Sequence, residues 1–308
     1  MLRFGFFEIV CKVARPSPIL FPLAVIVTSD AEQNKIPMKP RIFEPKNDLT
    51  TFVKCYWTLE SPKEKTPTRN TIVPDGCMKL IFHYGDPYKH YSENGKSITL
   101  PKCFLIGQLT KPYQVEPTGE TGTFFVCFHP NGFLPFTTIP IKEMENIAVP
   151  LEKLFGKDGK EIGQNILNAN STSERINLIE TFLLNRLKDT TTIDQIVKST
   201  VETILTANGQ LSVDELSRQN KINTRQLVRK FSSTIGLSPK QLSKTIRLQT
   251  TLKTLLTKNI TNLTKLAYEN EYYDQAHFIK DFKEFTGLTP KEFYGEHLTM
   301  SLIFDSKK

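Results

Sequence analysis

Two short segments near the C-terminal end carry basic and amide side chains at helical spacing. The first segment has Arg225, Gln226 and Arg229, and the second has Gln275, His277, Lys280 and Lys283. Guanidinium and ammonium groups donate hydrogen bonds to phosphate oxygens and to the acceptor edge of guanine. The same residues also suit the solvated face of an ordinary helix. The elements that position them decide between these two interpretations.

The two segments belong to a motif that occurs twice. Residues 231–242 have the sequence FSSTIGLSPKQL and residues 282–293 have the sequence FKEFTGLTPKEF, so that Phe282 follows Phe231 by 51 residues. Upstream of each copy, the pattern predicts a short helix, a turn and a second helix that carries the basic residues. Two helix-turn-helix units in tandem are typical of proteins that read DNA.

The first copy contains clear signals for the start and end of its helices. Ser212 and Glu215 are spaced as a capping box, and Asn223 begins the second helix. Gly236 lies where a left-handed residue ends that helix. Apolar residues at i, i+4 and i+8 predict one buried stripe, formed by Leu227, Phe231 and Ile235. The basic residues therefore fall on the opposite, outward face.

The second copy repeats this organisation. Asp274 is the predicted N-cap of its second helix, and Gly287 is the predicted end. The predicted buried residues are Phe278, Phe282 and Phe285. The supporting helix is predicted from Leu263, Leu266 and Ala267. Asp281 places a carboxylate close to the basic face, and residues 240–257 predict a long helix between the two copies.

With this double motif, the C-terminal part of the chain resembles the DNA-binding domain of the AraC/XylS family of transcription regulators. The resemblance covers residues 193–297 and implies seven helices, with two recognition helices joined by a linker helix. By position it implies base-facing residues Arg225, Val228 and Arg229 in the first recognition helix, Gln275, Ala276 and Lys280 in the second, and His277 at the DNA backbone. Gln226 and Lys283 lie on the same outward faces and complete the predicted DNA-binding set. Lys221 and Glu271 depart from the family, which often has glycine at these turn positions.

Length, charge and cysteine content agree with this interpretation without establishing it. A chain of 308 residues is expected to form about two domains. The formal charge of +8 and the pI of about 9.1 favour a polyanionic partner only modestly. Five scattered cysteines without a C-x-x-C pair predict reduced cytosolic thiols.

The segment from about residue 40 to 156 has short alternating runs separated by turn residues. The predicted strands are residues 52–59, 78–84, 102–107 and 123–128. Strands at this spacing predict a small barrel or sandwich. The sequences VPDGCMKLIFHYG and LIGQLT resemble the cupin-like N-terminal domain of some AraC-type regulators, which implies a sensory or dimerising role. The predicted fold class is α+β, with a β-rich cupin-like domain before an all-α domain with two helix-turn-helix units.

The predicted domain boundaries follow from these segments. They are a sensor domain at 38–157, a helical connector at 158–192, the DNA-binding domain at 193–297 and a tail at 298–308. Residues 1–37 are predicted to lie outside the functional fold, with translation starting at Met38. Lys12, Arg15 and the apolar residues 18–27 also suit a signal peptide, but export would separate the protein from DNA. A poorly packed extra strand is the other interpretation of this extension.

Two groups of residues suggest other chemistry. His83 and His129 suit metal ligands, but no further ligand at metal spacing accompanies them. Cys127 and His129 suit a thiol–imidazole pair, although a packed cysteine is commoner. We therefore predict a regulator that is not an enzyme, with no catalytic residue, no metal and no cofactor. The alternatives are a cupin-like metalloenzyme with a helical appendage, and a DNA-repair or architectural protein with the same DNA-binding domain.

The predicted partners follow from the regulator interpretation. They are double-stranded DNA, RNA polymerase, a small-molecule effector and a second copy of the chain, with no membrane among them. The predicted location is the cytoplasm.

Overall fold

A computed structural model describes residues 25–28, 40–187, 194–257, 272, 274–295 and 300–302. These residues form a β-rich N-terminal part followed by a helical C-terminal part, which confirms the predicted α+β fold. In the described residues the N-terminal part is a sandwich of two open sheets rather than a closed barrel.

Twelve strands of the described residues form two antiparallel sheets. The strands are β1 (Val25–Thr28), β2 (Arg41–Phe43), β3 (Val53–Ser61), β4 (Asn70–Val73), β5 (Lys79–His83), β6 (Tyr88–Tyr91), β7 (Ser97–Thr99), β8 (Cys103–Ile106), β9 (Tyr113–Pro117), β10 (Thr121–Phe128), β11 (Ala148–Pro150) and β12 (Met300–Leu302). The outer sheet has the order β12-β1-β4-β9-β6-β7, and the central sheet has the order β11-β8-β5-β10-β3-β2. The four predicted strands are confirmed as β3, β5, β8 and β10, which are neighbours in the central sheet.

Both faces of the central sheet are apolar because each face packs against another layer. In β5, Leu80 and Phe82 point into a core shared with helices, whereas Ile81 and His83 point towards the outer sheet. All residues of β5 are buried for this reason. The N-terminal part therefore has three layers, which are the outer sheet, the central sheet and the helices.

Three helices form the third layer. They are α1 (Leu151–Phe155), α2 (Lys157–Asn168) and α3 (Thr172–Arg186). Ile166 of α2 and Ile179 of α3 are fully buried in one cluster with Phe82 of the central sheet. Residues 158–192 were expected to form a connector. Their helices instead contribute to the sensor core, because their apolar stripes cover the open face of the sheet.

Four residues of the N-terminal extension form a strand. β1 pairs antiparallel with β4 on one side and with β12 on the other. These four residues therefore form an extra strand of the outer sheet, and they do not lie outside the fold. The start of translation at Met38 stays a prediction.

The C-terminal part contains six helices in the described residues. They are α4 (Gln195–Thr206), α5 (Val213–Gln219), α6 (Thr224–Ile235), α7 (Pro239–Thr257), α8 (Gln275–Thr286) and α9 (Pro290–Gly295). The supporting helix predicted from Leu263, Leu266 and Ala267 lies outside the described residues, as does Glu271. Within the described ranges, no helix is both long and apolar enough to cross a membrane.

The ends of the helices have the predicted geometry in both copies of the motif. Ser212 and Glu215 form the capping box with both reciprocal hydrogen bonds. Gly236 and Gly287 have φ angles of 83° and 80°, in the left-handed region that glycine adopts without strain. Lys221 has a φ of 50°, so the first turn keeps a left-handed residue although it is not glycine.

Candidate nucleic-acid interface and sensor cavity

Helix α6 separates a buried face from an exposed basic face. Its buried residues, at 0% exposure, are Leu227, Phe231 and Ile235. Arg225, Gln226 and Arg229 are exposed on the other side, and Val228 is half-buried. Asn223 accepts a hydrogen bond from the backbone N–H of Arg225 and so begins the helix. The first group of sequence-predicted residues therefore lies together on one helical surface.

Helix α8 has the same division. Its buried aromatic residues are Phe278, Phe282 and Phe285. The exposed residues are Gln275, Ala276, His277, Lys280 and Lys283. Asp274 begins the helix by accepting a hydrogen bond from the backbone N–H of His277 at 2.7 Å. We refer to α6 and α8 as the recognition helices.

Asp281 lies close to the basic face of α8, as the sequence predicts, because its Oδ2 is 3.5 Å from Nε2 of His277. Its side chain is buried, and its Oδ1 is 2.9 Å from Lys244 Nζ on α7. Lys244 also lies 2.7 Å from Glu284. One lysine of the linker helix thus pairs with two carboxylates of α8, and one of them, Asp281, also faces His277 of the predicted DNA-binding set.

The exposed cations of both recognition helices are available for a polyanion. In the described part of the chain, no carboxylate lies within ion-pair distance of Arg225, Arg229, Lys280 or Lys283. In contrast, Lys230 of α6 is partly exposed, and its Nζ lies 2.6 Å from Oδ2 of Asp194, the residue before α4. The basic side chains of α6 therefore divide into one that stabilises the domain and two that remain exposed.

A cavity lies between the two sheets of the N-terminal part. The space inside it that a water-sized sphere can reach is about 80 Å³. Its apolar wall includes Trp57, Ile81, Phe104, Val115 and Phe125. The rings of Trp57 and Phe125 stack with their centroids 3.6 Å apart. Sequence reasoning predicted a sensor domain but did not locate this cavity, because its wall combines alternate residues from strands in two different sheets.

A buried ion pair closes one end of the cavity. Lys79 Nζ lies 2.6 Å from Asp75 Oδ2, and both residues are buried. Burial opposes the charged form of Lys79, but the nearby charges, Asp75 first among them, outweigh burial and raise the lysine pKa. Asp75 also accepts from the backbone N–H of Cys77 at 3.0 Å. The pair therefore links the cavity wall to the turn at residues 74–77.

This turn contacts the linker helix α7 of the DNA-binding part. Gln249 of α7 is buried, and its Nε2 donates to the carbonyl of Pro74 at 2.6 Å. Gly76 packs against Leu242 of α7, and Val73 shares a cluster with Leu248. This contact was not identified from the sequence. The available signal was a glutamine on the apolar side of a helix, which requires a buried partner.

The residues considered for other chemistry are packed differently. Among the described residues, no three His, Cys, Asp or Glu side chains are grouped to hold a metal ion. Cys127 lies in a cluster with Trp57, whose Nε1–H donates to the thiol sulfur at 3.1 Å. The register of β10 on β3 shifts between Cys127 and Phe128. Because of this shift, the regular alternation of side chains between the two faces of β10 does not continue to His129.

Two protein families match parts of the chain. Residues 41–150 match a domain of unknown function, DUF6597, and residues 216–295 match a helix-turn-helix domain. The comparison with curated proteins gives no match.

Three solved structures are similar to the chain at low identity. ToxT from Vibrio cholerae O395 aligns over 85% of this chain and 98% of its own, at 12% identity and a TM-score of 0.41. The C-terminal domain of AraT, a response regulator from Geobacillus stearothermophilus, aligns over 38% and 94%, at 18% identity and 0.32. The AraC-like transcriptional activator CuxR aligns over 70% and 86%, at 11% identity and 0.31. These values are too low to support a statement about function.

The helix-turn-helix match spans both copies of the motif, and both recognition helices present an exposed basic face. The C-terminal part therefore contains a helix-turn-helix domain with two recognition helices, and it follows an N-terminal β-domain. This assignment favours the regulator over the cupin-like metalloenzyme.

Proposed function

We propose that the protein regulates transcription by placing α6 and α8 in two successive major-groove segments on one face of DNA, about 34 Å apart. The supporting observation is that both helices bury three residues of one motif and expose basic residues opposite them. The DNA-binding set is Arg225, Gln226, Val228, Arg229, Gln275, Ala276, His277, Lys280 and Lys283. Recognition in two grooves makes the binding specific for sequence.

The residues of this set have different roles in the proposal. Arg225 and Arg229 bind guanine edges, because a guanidinium group pairs with O6 and N7 in the major groove. Lys280 and Lys283 bind bases or phosphates. His277 and the N-termini of the helices bind the DNA backbone and fix the register.

The linker helix adds a constraint of shape. α7 is continuous over 19 residues and is fixed to α8 through Lys244. Because the connection is stiff, both helices enter their grooves only when the groove spacing or the bend of the DNA matches the distance between the helices. Sequences that bend easily are therefore bound more tightly, including at base pairs that no side chain touches.

The N-terminal domain is proposed to control this binding through the cavity between its sheets. An effector in the cavity meets Lys79, whose partner Asp75 belongs to the turn that contacts α7. An effector changes DNA binding only if its affinity for the DNA-binding conformation differs from its affinity for the other conformation. The turn at residues 74–77 offers a physical route for this difference.

The remaining partners are part of the same proposal. A regulator of this kind acts in the cytoplasm, where it meets DNA and RNA polymerase, and it needs no cofactor. A second copy of the chain binds through the N-terminal domain. Analytical ultracentrifugation over a range of protein concentrations tests this step, and a monomer at every concentration contradicts it.

Selection from random double-stranded DNA by the full chain tests the proposed function. The expected result is an enriched site with two conserved segments about one helical turn apart, protected on one face in a footprint. If no sequence is enriched, the chain does not bind as proposed. If one segment alone is enriched, only one recognition helix contacts bases.

A further inference from the structure

The cavity between the sheets contains buried polar atoms that have no partner. His83 is 3% exposed and lines the cavity, and its Nε2 makes no hydrogen bond. Asn70 also lines the cavity, and its Oδ1 is buried without a partner. Buried polar groups in proteins are nearly always hydrogen-bonded, so two unpaired polar atoms that line one cavity indicate groups that meet a bound molecule.

The hydrogen-bonding capacity of His83 restricts the ligand. Its Nδ1 lies 3.1 Å from Thr123 Oγ1, and its ring packs against Tyr88 and Phe104. Burial lowers its pKa to about 4, so the imidazole is neutral at pH 7. A neutral imidazole offers one N–H or one lone pair at Nε2, and a ligand hydroxyl pairs with either, because it both donates and accepts.

The charges at the cavity restrict the ligand further. Lys79 is the cation of the wall, and Asp75 already neutralises it at 2.6 Å. The ion pair has no net charge to attract an anion. A carboxylate loses its hydration on entering such a site and is bound weakly unless it gains a new partner. The cavity therefore suits an uncharged molecule.

We propose that the cavity binds a neutral aromatic compound with one hydroxyl group, such as a simple alkylphenol. The aromatic ring lies among Trp57, Phe104 and Phe125, where rings gain energy from stacked and edge-to-face contacts. The hydroxyl group meets Nε2 of His83 and Oδ1 of Asn70. This proposal deepens the proposed function, on which it rests for the role of the cavity as an effector site.

The single tryptophan of the chain, Trp57, lines the cavity and reports binding by its fluorescence. The full chain is titrated with 4-ethylphenol, 4-ethylbenzoate and ethylbenzene, which share one ring and one alkyl group. The expected affinity for 4-ethylphenol is about tenfold or more above that for each of the other two, because the benzoate brings a charge and ethylbenzene leaves His83 unpaired. Equal or tighter binding of the benzoate overturns the proposal, and so does the absence of binding by all three.

Two histidine variants test the contact itself. His83→Phe keeps an aromatic ring in the wall and retains Asn70, so it is expected to lose most, but not all, of the preference for 4-ethylphenol over ethylbenzene. His129→Phe removes a second largely buried histidine that does not line the cavity, and it is expected to keep the preference for the phenol. An unreduced preference for the phenol in His83→Phe overturns the proposal.

The two proposals fail in different measurements. Loss of phenol binding in a protein that still selects its DNA site overturns the ligand proposal alone. Failure to select DNA in a protein whose Trp57 reports phenol binding overturns the proposed function and supports the ligand site.

Discussion

At the scale of single residues, each recognition helix separates the side chains that pack from those that are free to bind. Arg229 of α6 and Lys280 of α8 are exposed, while their neighbours Lys230 and Asp281 are held in ion pairs inside the domain. Removing an exposed side chain therefore leaves the fold intact. Removing one of the inward-facing residues destabilises it.

Substitution of the exposed cations should weaken specific binding without unfolding the protein. Arg229→Ala and Lys280→Ala are each expected to lose about 1–3 kcal/mol of binding free energy if they contact bases. Fluorescence anisotropy with the selected site measures the loss. Lys89→Ala, which removes an exposed lysine of β6 in the other domain, is the control. An equal loss in Lys89→Ala would show that overall charge, and not base contact, drives binding.

The buried His83 should make the sensor domain less stable in acid. Burial lowers its folded-state pKa to about 4, below the unfolded value of 6.5, so the unfolded chain binds a proton first as the pH falls. The contribution of neutral His83 to the unfolding free energy is fully present above pH 6.5 and is lost as the pH falls from 6.5 to 4. Between pH 7 and pH 5 the unfolding free energy of the wild type should fall by about 1–2 kcal/mol more than that of His83→Phe. Urea unfolding followed by Trp57 fluorescence measures this, and an unchanged pH dependence would contradict it.

At the scale of elements, the two recognition helices end in equivalent glycines with different surroundings. Gly236 and Gly287 are both left-handed, but an added Cβ at Gly236 would lie 2.9 Å from Ile141 of the sensor domain. At Gly287 no described atom lies within 4 Å of that position. The end of α6 is therefore also part of the contact between domains.

Alanine at these two positions should separate backbone strain from the domain contact. Gly287→Ala is expected to cost about 1–2 kcal/mol for the left-handed backbone alone. Gly236→Ala should cost more, because it also displaces Ile141. Urea unfolding of the full chain compares the two variants. In a fragment of residues 193–297, which lacks Ile141, the two costs should become similar, and a persistent difference would place its cause inside the DNA-binding domain.

Local patterns predicted the elements well and their long-range contacts poorly. The stripes of α6 and α8, their caps and four central strands follow from spacing over a few residues, and all are confirmed. The cavity wall, the packing of α2 and α3 on the sheet, and the contact of Gln249 with Pro74 depend on residues far apart in the chain. Gln249 and Pro74 are separated by 175 positions, so no local period indicates the pair. The position of Asp281 close to the basic face was predicted, but its ion pair with Lys244 was not, because Lys244 lies on another helix.

At the scale of the whole molecule, the two domains meet where the sensor turn contacts the linker helix. The buried hydrogen bond from Gln249 to Pro74 lies between the cavity and α7. On the other side, α7 is fixed to α8 through Lys244. The linker helix thus contacts both the N-terminal domain and α8.

Gln249→Met should uncouple the domains while leaving each one folded. Methionine keeps the length of the side chain but leaves the buried carbonyl of Pro74 without a donor, which costs about 1–3 kcal/mol. Hydrogen exchange is expected to become faster in residues 74–79 and in α7, and the DNA affinity of the full chain should shift to that of the fragment 193–297. Gln164→Met, on the exposed side of α2, is the control. Unchanged exchange at residues 74–79 would show that this contact does not hold the domains together. An altered affinity in the fragment itself would mean that Gln249 acts within the DNA-binding domain.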